Sequence, residues 1–285
     1  MKKLTYLIKH SETILVAEDL YDDENKVHHL KDYAQEGLRE TIKSFDKEDR
    51  LVSYVEWEDG QESSRTVYTR DEQGRVVHQQ LSIGGELYEE ELTEYFENGQ
   101  ITRTLQDKVE LHKVVDKQLE SHRELCIYQQ EELVERHVFE KDEQKGENRI
   151  LYYDADGSLF LRRVETFNPT GSPLHIQELN ERDEMIEEVN YTYEGNLLVK
   201  LEHKWLIPNP HIVKTQYSYD SKGNLLKEES RSSSDKLMGF RIYAYDRDNR
   251  VVEMREYQQE DMDTMAGDNF QPAEESHYRF EYLEE

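Results

Sequence analysis

The 285-residue chain is polar and strongly acidic: 35% of its residues are hydrophobic, 35% are charged, and the formal net charge is -28. A compact domain draws about 45–50% of its residues from the apolar set, so this composition excludes a thick, dry core. The negative field repels nucleic-acid phosphates and anionic membranes, so neither is expected as a partner. The 19 tyrosines, 8 phenylalanines and 2 tryptophans are too many for a disordered, solvating coil.

The amino-terminal region lacks the pattern of a signal peptide. A lysine pair precedes an apolar run at residues 4–8, but Thr5 interrupts that run, Lys9 ends it, and no small-residue cleavage site follows. No stretch approaches the ~20 apolar residues of a membrane-spanning helix. Cys126 is the only cysteine, which rules out an intrachain disulfide framework and favours a reducing compartment. We therefore expect a cytoplasmic protein in which Cys126 is a buried, inert thiol.

A short motif recurs along the chain: an aromatic residue followed by Asp, two polar residues, then Gly, Asn or Asp, a polar residue and apolar residues. Copies at residues 21–27, 45–52, 153–160, 219–226 and 245–252 match this pattern. Segments 68–77, 95–101 and 179–186 are weaker copies, in which the aromatic residue, the Asp or their spacing differs. The Gly, Asn or Asp of the turn falls at positions 25, 49, 74 and 99, then at 157 and 183, and again at 223 and 249. Within each of these runs the separation is 24 to 26 residues. That spacing predicts repeated hairpins, each made of two strands of about ten residues and two turns.

The chemistry of a tight turn explains the motif. Gly223 and its equivalents stand where the backbone needs a positive φ, and the Asp after the aromatic residue can accept hydrogen bonds from the turn's own N–H groups. We expect a positive φ at or beside Gly74, Gly99, Gly157 and Gly223. The second turn of each repeat is expected at Gly37, Gly60, Gly84–Gly85 and Gly171.

Side-chain alternation predicts that tyrosines share one face of the sheet. Pairs two residues apart point to the same side of a strand, as at Tyr191 and Tyr193, Tyr217 and Tyr219, Tyr243 and Tyr245, and Tyr278, Phe280 and Tyr282. Aligned across neighbouring hairpins, such residues form stabilising aromatic ladders.

The pattern is ambiguous in a few segments. Residues 104–122 are compatible with an irregular or helical insertion, because their apolar residues also fit a helical period. Residues 27–42 are a second helix candidate, interrupted by Gly37. Residues 258–275 are predicted to be a loop, and the strand register is open at 100–130 and 183–210.

The motif resembles the YD-repeat, or RHS-repeat, family, with Tyr-Asp-x-x-Gly-Asn/Arg-Leu/Val matched best at 153–159, 219–225 and 245–251. Residues 95–101 are also similar to the MORN-like repeats of a bacterial antitoxin family. In the RHS family the repeats build long, curling sheets that enclose a toxic cargo in large toxins. This chain shows no recognisable toxin domain. The resemblance implies one repeat-built domain over residues 1–285, an elongated, twisted and curved antiparallel meander of about ten hairpins, open rather than closed into a shell.

No catalytic or cofactor pattern emerges from the residues. The 11 histidines are scattered without zinc-ligand spacing, and no nucleophile elbow or phosphate loop is present. Asp154, Asp156, Ser158 and Glu165 stand at positions 1, 3, 5 and 12 of a possible calcium loop, but Leu159 occupies position 6, where Gly is required. We expect no metal, no cofactor and no enzymatic activity.

The function predicted from these observations is protein binding. The first hypothesis is an immunity or antitoxin-like protein that binds a toxin or effector. The alternative is a scaffold or chaperone-like component of a bacterial secretion or defence assembly, and an enzyme acting on carbohydrate or nucleotide is a third. We expect a basic protein partner, recognised through one face or edge of the sheet, with Tyr193, Tyr219 and Tyr245 as candidate contact residues.

Overall fold

The protein is all-β in the computed structural model, which describes residues 1–9, 12–21, 27–33, 38–258 and 273–283. These described residues form 22 strands and no helix. The strands are β1 Lys2–Lys9, β2 Glu12–Tyr21, β3 Val27–Asp32, β4 Arg39–Phe45, β5 Leu51–Glu58, β6 Gln61–Arg70, β7 Val76–Ile83, β8 Glu86–Phe96, β9 Gly99–Gln106, β10 Val109–Gln118, β11 Arg123–Gln129, β12 Glu132–Asp142, β13 Glu147–Asp154, β14 Leu159–Phe167, β15 Pro173–Asn180, β16 Met185–Glu194, β17 Leu197–Trp205, β18 His211–Tyr219, β19 Leu225–Ser232, β20 Leu237–Tyr245, β21 Val251–Gln258 and β22 Ala273–Leu283.

The sheet is a closed barrel. Every strand pairs antiparallel with the next one in the chain, and β1 pairs with both β2 and β22, with Thr5 opposite Ala17 on one side and Phe280 on the other. The prediction of an elongated, open meander of about ten hairpins is therefore wrong, although the all-β antiparallel class is correct. Open edges expose unpaired N–H and C=O groups, and closure satisfies them.

Bulges next to the turns supply curvature that the repeat pattern did not reveal. The register shifts between Ser218 and Tyr219 in the β18–β19 pair and between Ala244 and Tyr245 in the β20–β21 pair, at the aromatic residue that precedes each turn. The same shift occurs at Phe45. A bulge bends the strand and increases its twist, and a bend repeated around the sheet brings the last strand back to the first.

The barrel is hollow rather than filled. Its accessible surface is 18619 Å², whereas a compact 34.1 kDa monomer exposes about 12,800 Å². Among the described residues the buried apolar side chains are four valines, Val16, Val55, Val138 and Val189, and no large side chain is completely buried. Small barrels fill with side chains, whereas large ones enclose open space, so the low apolar content is explained by a lumen in place of a core.

The two faces of the sheet differ in exposure. In β18, Tyr217 and Tyr219 are half-buried while Gln216 and Ser218 are exposed, and the same alternation occurs in the second halves of β4, β6 and β8. A concave surface crowds its side chains, so we assign the less exposed face to the lumen and call it the inner face. It carries Tyr217 and every residue directly opposite it around the ring, beginning with Glu228 and Arg241.

Two segments predicted to be helical or irregular contain strands in their described residues. Residues 104–122 contain the end of β9 and all of β10, so the prediction of an insertion there is wrong. Residues 27–42 contain β3 and the start of β4, and Gly37 lies outside the described residues. The predicted loop at 258–275 begins at the last residue of β21 and ends within β22, while residues 259–272 lie outside the described part.

Most of the glycine predictions are confirmed. Gly74, Gly157 and Gly223 have φ of 81°, 86° and 88°. Gly99 does not share this conformation, so the prediction is wrong there. It starts β9, and a Cβ atom at this position would collide with the backbone carbonyl of Asp116 on β10. Gly99 is therefore required by the close approach of two strands rather than by a left-handed turn.

Candidate functional site

The Asp of the repeated motif closes its own turn. Asp220 Oδ1 accepts hydrogen bonds from the backbone N–H groups of Lys222 at 2.8 Å and Asn224 at 2.9 Å, while Gly223 N–H donates to the Asp220 carbonyl. The Asn224 amide, which donates to Asp220, and those backbone donors hold the pKa of the Asp220 carboxyl below its usual range. Asp246 makes the equivalent bonds to Asp248 and Arg250. The recurring Asp therefore has a structural role in these turns, because the backbone N–H groups engage its carboxylate.

In three copies of the motif, the tyrosine connects its turn to the neighbouring hairpin. The Tyr219 hydroxyl donates to the Leu198 carbonyl at 2.8 Å, and the Tyr245 hydroxyl donates to the Leu225 carbonyl at 2.9 Å. In each case the acceptor lies near the start of the preceding strand. Tyr95 and Tyr282 make the same type of bond, and Arg70 replaces the tyrosine in β6, donating to the Leu51 carbonyl. We call these hydroxyl bonds the tyrosine latches.

Two of the three residues predicted to contact a partner are therefore latches. Tyr219 and Tyr245 are half-buried, and burial raises the pKa of each phenol. Tyr193 occupies the equivalent position near the end of β16, but no hydrogen bond from its hydroxyl is found within the described part of the chain. The three residues stand near the same end of alternate strands. Their spacing was predicted correctly, whereas a role in partner contact stays a prediction.

A second set of tyrosines lies two residues earlier on the same strands. Tyr191, Tyr217 and Tyr243 are half-buried on the inner face and recur at intervals of 26 residues. Burial, followed by the charge of Glu228, raises the pKa of Tyr217, and the phenols of Tyr191 and Tyr243 are near enough to add to this effect. We call this set the tyrosine column. Its spacing was visible in the sequence, but the sequence does not show which hydroxyls are already bonded.

Carboxylates and arginines flank the tyrosine column on the inner face. Arg241 Nε donates to Glu256 Oε1 at 2.7 Å, and its Nη1 lies 4.0 Å from Glu228. On the other flank, Arg163 pairs with Glu165 at 2.7 Å and Glu178 at 3.0 Å. Each arginine thus faces two carboxylates, so this part of the inner face carries an excess of negative charge.

An aromatic stack lies at the opposite end of β17 from the turn that Tyr193 precedes. The Trp205 ring is stacked between two imidazoles, with centroid separations of 3.4 Å to His203 and 4.2 Å to His211. His203 Nε2 also contacts Glu187. The Trp205 indole is therefore an intrinsic fluorescent reporter for this rim of the barrel.

The residues that the sequence analysis considered for metal binding and nucleophilic chemistry make contacts that stabilise the fold. Asp154 Oδ1 and Asp156 Oδ1 both accept a hydrogen bond from the Ser158 backbone N–H. No group of three metal-ligating side chains occurs within the residues that the structure describes. Cys126 is half-buried in β11, less buried than predicted, and burial raises the pKa of its thiol, which disfavours the reactive thiolate.

The fold and the inner face define a closed, all-β antiparallel barrel with a tyrosine-rich lumen. A family model described only as an uncharacterised protein matches residues 159–283. No curated protein matches the chain. None of the described residues belongs to a helix long and apolar enough to cross a membrane.

Several solved structures are similar to the chain at low identity. The Photorhabdus luminescens Tc holotoxin pore is 11% identical with a TM-score of 0.28, covering 88% of this chain and 19% of that chain. A complex of TcdB2, TccC3 and Cdc42 is 14% identical with a TM-score of 0.27, covering 84% and 17%. A porin-like protein from Bacteroides uniformis is 9% identical with a TM-score of 0.35, covering 98% and 95%. This chain spans about a fifth of the toxin chain, and TM-scores this low decide nothing about function.

Proposed function

We propose that this chain is a non-enzymatic, cytoplasmic protein-binding module of the YD/RHS-repeat type that binds a basic toxin or effector, as an immunity or antitoxin-like protein does. The motif copies at 153–160, 219–226 and 245–252 support the family assignment. Asp154, Asp220 and Asp246 close their own turns, and Tyr219 and Tyr245 form latches. A scaffold or chaperone-like role in a secretion or defence assembly is the alternative.

The observation that carries the proposal is the tyrosine column beside an acidic inner face. Tyrosine presents a large, rigid contact area at a low cost in side-chain entropy, and aromatic residues are enriched at protein interfaces. Glu178, Glu228 and Glu256 give this surface a sign opposite to that of a basic partner. Because the ring closes through the β1–β22 pair, recognition through a free sheet edge is no longer available in this structure. The proposed surface is therefore the inner face and its rims.

Charged residues on both faces favour an aqueous protein partner over a lipid. The outer face carries His78–Glu90 and Lys204–Glu188 pairs, and the inner face carries the Arg163–Glu178 pair. Charged side chains that face lipid are destabilising. The chain's net charge of -28 also repels phosphates, which argues against a nucleic-acid partner.

The test begins with capture of partners from the native cell by the tagged full-length chain, followed by purification of the captured protein. Its association rate is then measured over a range of ionic strength, with the chain itself and with two variants. Tyr217→Ala removes a ring of the inner face, and Leu92→Ala, at an exposed outer-face position, is the matched control. We expect a basic partner, an on-rate that falls as salt rises, and weaker binding only for Tyr217→Ala. An acidic partner, or an equal effect of the two variants, would contradict the proposal.

A further inference from the structure

The chain repeatedly places a cationic side chain over an aromatic ring. Within the described residues there are eight such pairs, with the cation between 4.2 and 5.3 Å from the ring centroid. They are Lys3–Phe280, Arg75–Tyr95, Lys113–Tyr128, Arg123–Phe139, Arg136–Tyr153, Lys227–Phe240, Arg250–Tyr282 and Arg279–Tyr6. A cation over a ring is attracted by the negative π face. Capping of rings by the chain's own lysines and arginines is thus common in this sheet.

The tyrosine column lacks this arrangement. No lysine or arginine of the described residues lies over the rings of Tyr191, Tyr217 or Tyr243, and none of their hydroxyls makes a hydrogen bond to another described residue. By contrast, the adjacent latches Tyr219 and Tyr245 have their hydroxyls bonded to backbone carbonyls. Within the described residues, the rings of the column therefore have no cation partner and their hydroxyls have no hydrogen-bond partner.

A carboxylate with little counter-charge stands beside the same rings. Glu228 is directly opposite Tyr217 in the β18–β19 pair, and its charge helps to raise the pKa of both Tyr217 and Tyr243 after burial. Among the described residues its one ion-pair partner is Arg241, at 4.0 Å. Arg241 also binds Glu256 at 2.7 Å, so its guanidinium is directed mainly to that carboxylate. Glu228 is thus short of positive charge in a site bounded by two tyrosines.

We propose that Tyr191, Tyr217, Tyr243 and Glu228 form a seat for the lysine and arginine side chains of an extended, basic polypeptide segment of the partner. The rings take the cation face-on, and Glu228 supplies the counter-charge. This proposal rests on the proposed function and names the part of the partner that the inner face recognises. A cation of the partner would then lie over an aromatic ring of this chain, as the chain's own lysines and arginines do elsewhere in the sheet.

The probe is a synthetic hexa-arginine amide titrated into the full-length chain by isothermal calorimetry at low and at physiological ionic strength, with hexa-glutamate as the negative peptide. Tyr217→Leu removes the π face, whereas Tyr217→Phe retains it. Glu228→Gln removes the seat's carboxylate, and Glu132→Gln removes an exposed carboxylate at the start of β12 as the charge-matched control. Circular dichroism and thermal unfolding are measured for each variant to establish that it is folded.

We expect hexa-arginine to bind and hexa-glutamate not to bind. Tyr217→Leu and Glu228→Gln should each weaken hexa-arginine binding about 3- to 10-fold, while Tyr217→Phe and Glu132→Gln stay within about 2-fold of the unmodified chain. No binding of hexa-arginine overturns the inference. Equal losses for Glu228→Gln and Glu132→Gln also overturn it, because they show that only the overall charge attracts the peptide.

The same variants separate this inference from the proposed function. A native partner that is captured and binds equally well to Tyr217→Leu and Glu228→Gln leaves the protein-binding function intact and refutes the seat. Peptide binding that depends on Tyr217 and Glu228, without a native protein partner, supports the seat and refutes the proposed function.

Discussion

The tyrosine latch makes a specific prediction about stability. Replacing Tyr219 with Phe removes only the hydroxyl, which donates to the Leu198 carbonyl at 2.8 Å. Tyr and Phe have similar strand preferences, so the hydrogen bond is the main difference between the two chains. Tyr217→Phe is the matched control, because it removes a hydroxyl from the same strand and face that makes no hydrogen bond to a described residue.

The magnitude follows from the geometry of the bond. A neutral hydrogen bond of normal length contributes about 0.5–1.5 kcal/mol net, and this bond is only partly buried. We therefore expect Tyr219→Phe to lower the free energy of unfolding by about 1 kcal/mol. Tyr217→Phe should change it by less than about 0.5 kcal/mol, because the hydroxyl that it removes makes no hydrogen bond to a described residue.

The assay is equilibrium urea unfolding, followed by tryptophan fluorescence and by far-ultraviolet circular dichroism. Coincidence of the two transitions establishes that the unfolding is two-state, which the comparison of free energies requires. The midpoint should shift without a change of slope, because neither variant alters the surface exposed on unfolding. If Tyr219→Phe and Tyr217→Phe were equally stable, the latch would have no energetic role and the explanation of the recurring Tyr would fail.

Three further predictions concern ionisation, packing and closure. Burial, followed by the nearby Asp19, raises the pKa of Tyr21 from about 10 to about 12. The stability that this protonated phenol contributes is complete below pH 10 and is lost as the pH rises towards 12. Tyr21→Phe should flatten this alkaline decline in the free energy of unfolding, measured with urea. Gly99→Ala should lower the free energy of unfolding by about 1–3 kcal/mol, because the added methyl group meets the backbone of the neighbouring strand. A free energy equal to that of the unmodified chain would disprove the close approach of β9 and β10. The third variant carries Thr5→Cys and Phe280→Cys in a cysteine-free background, because these two residues are paired across β1 and β22. A short bifunctional thiol cross-linker should join them within one chain and give a looped product that migrates faster on a denaturing gel. A reaction that gives only intermolecular products would indicate an open sheet.

The local structure of the repeats was predictable because its hydrogen bonds are local. The bonds of Asp220 reach Lys222 and Asn224, at most four residues away, and Gly223 adopts the left-handed conformation that such a turn requires. The prediction failed for residues 104–122, where the apolar residues fit both a helical and a strand period. A register shift between Glu110 and His112 also interrupts the alternation that would have marked β10 as a strand.

The candidate contact residues were predicted only in part, since alternation places a tyrosine on a face without showing what its hydroxyl meets. Tyr219 and Tyr245 were selected because they belong to the motif, and the structure shows that their hydroxyls hold neighbouring hairpins together. Tyr191, Tyr217 and Tyr243 share their face and spacing but have no corresponding acceptor within the described residues. The difference depends on the position of a carbonyl about twenty residues away in the chain, which a single sequence does not specify.

The amino-acid sequence by itself determined that this protein is an array of antiparallel hairpins with one tyrosine-rich face and too little apolar material for a filled core. Turn chemistry and two-residue alternation act over a few residues, so they can be recognised in the sequence. Only the tertiary structure decided that the array is a closed barrel, with Thr5 of the first strand opposite Phe280 of the last. Closure depends on bends at bulges that accumulate over 22 strands, and each bend is a small shift of register that leaves the hairpin pattern unchanged.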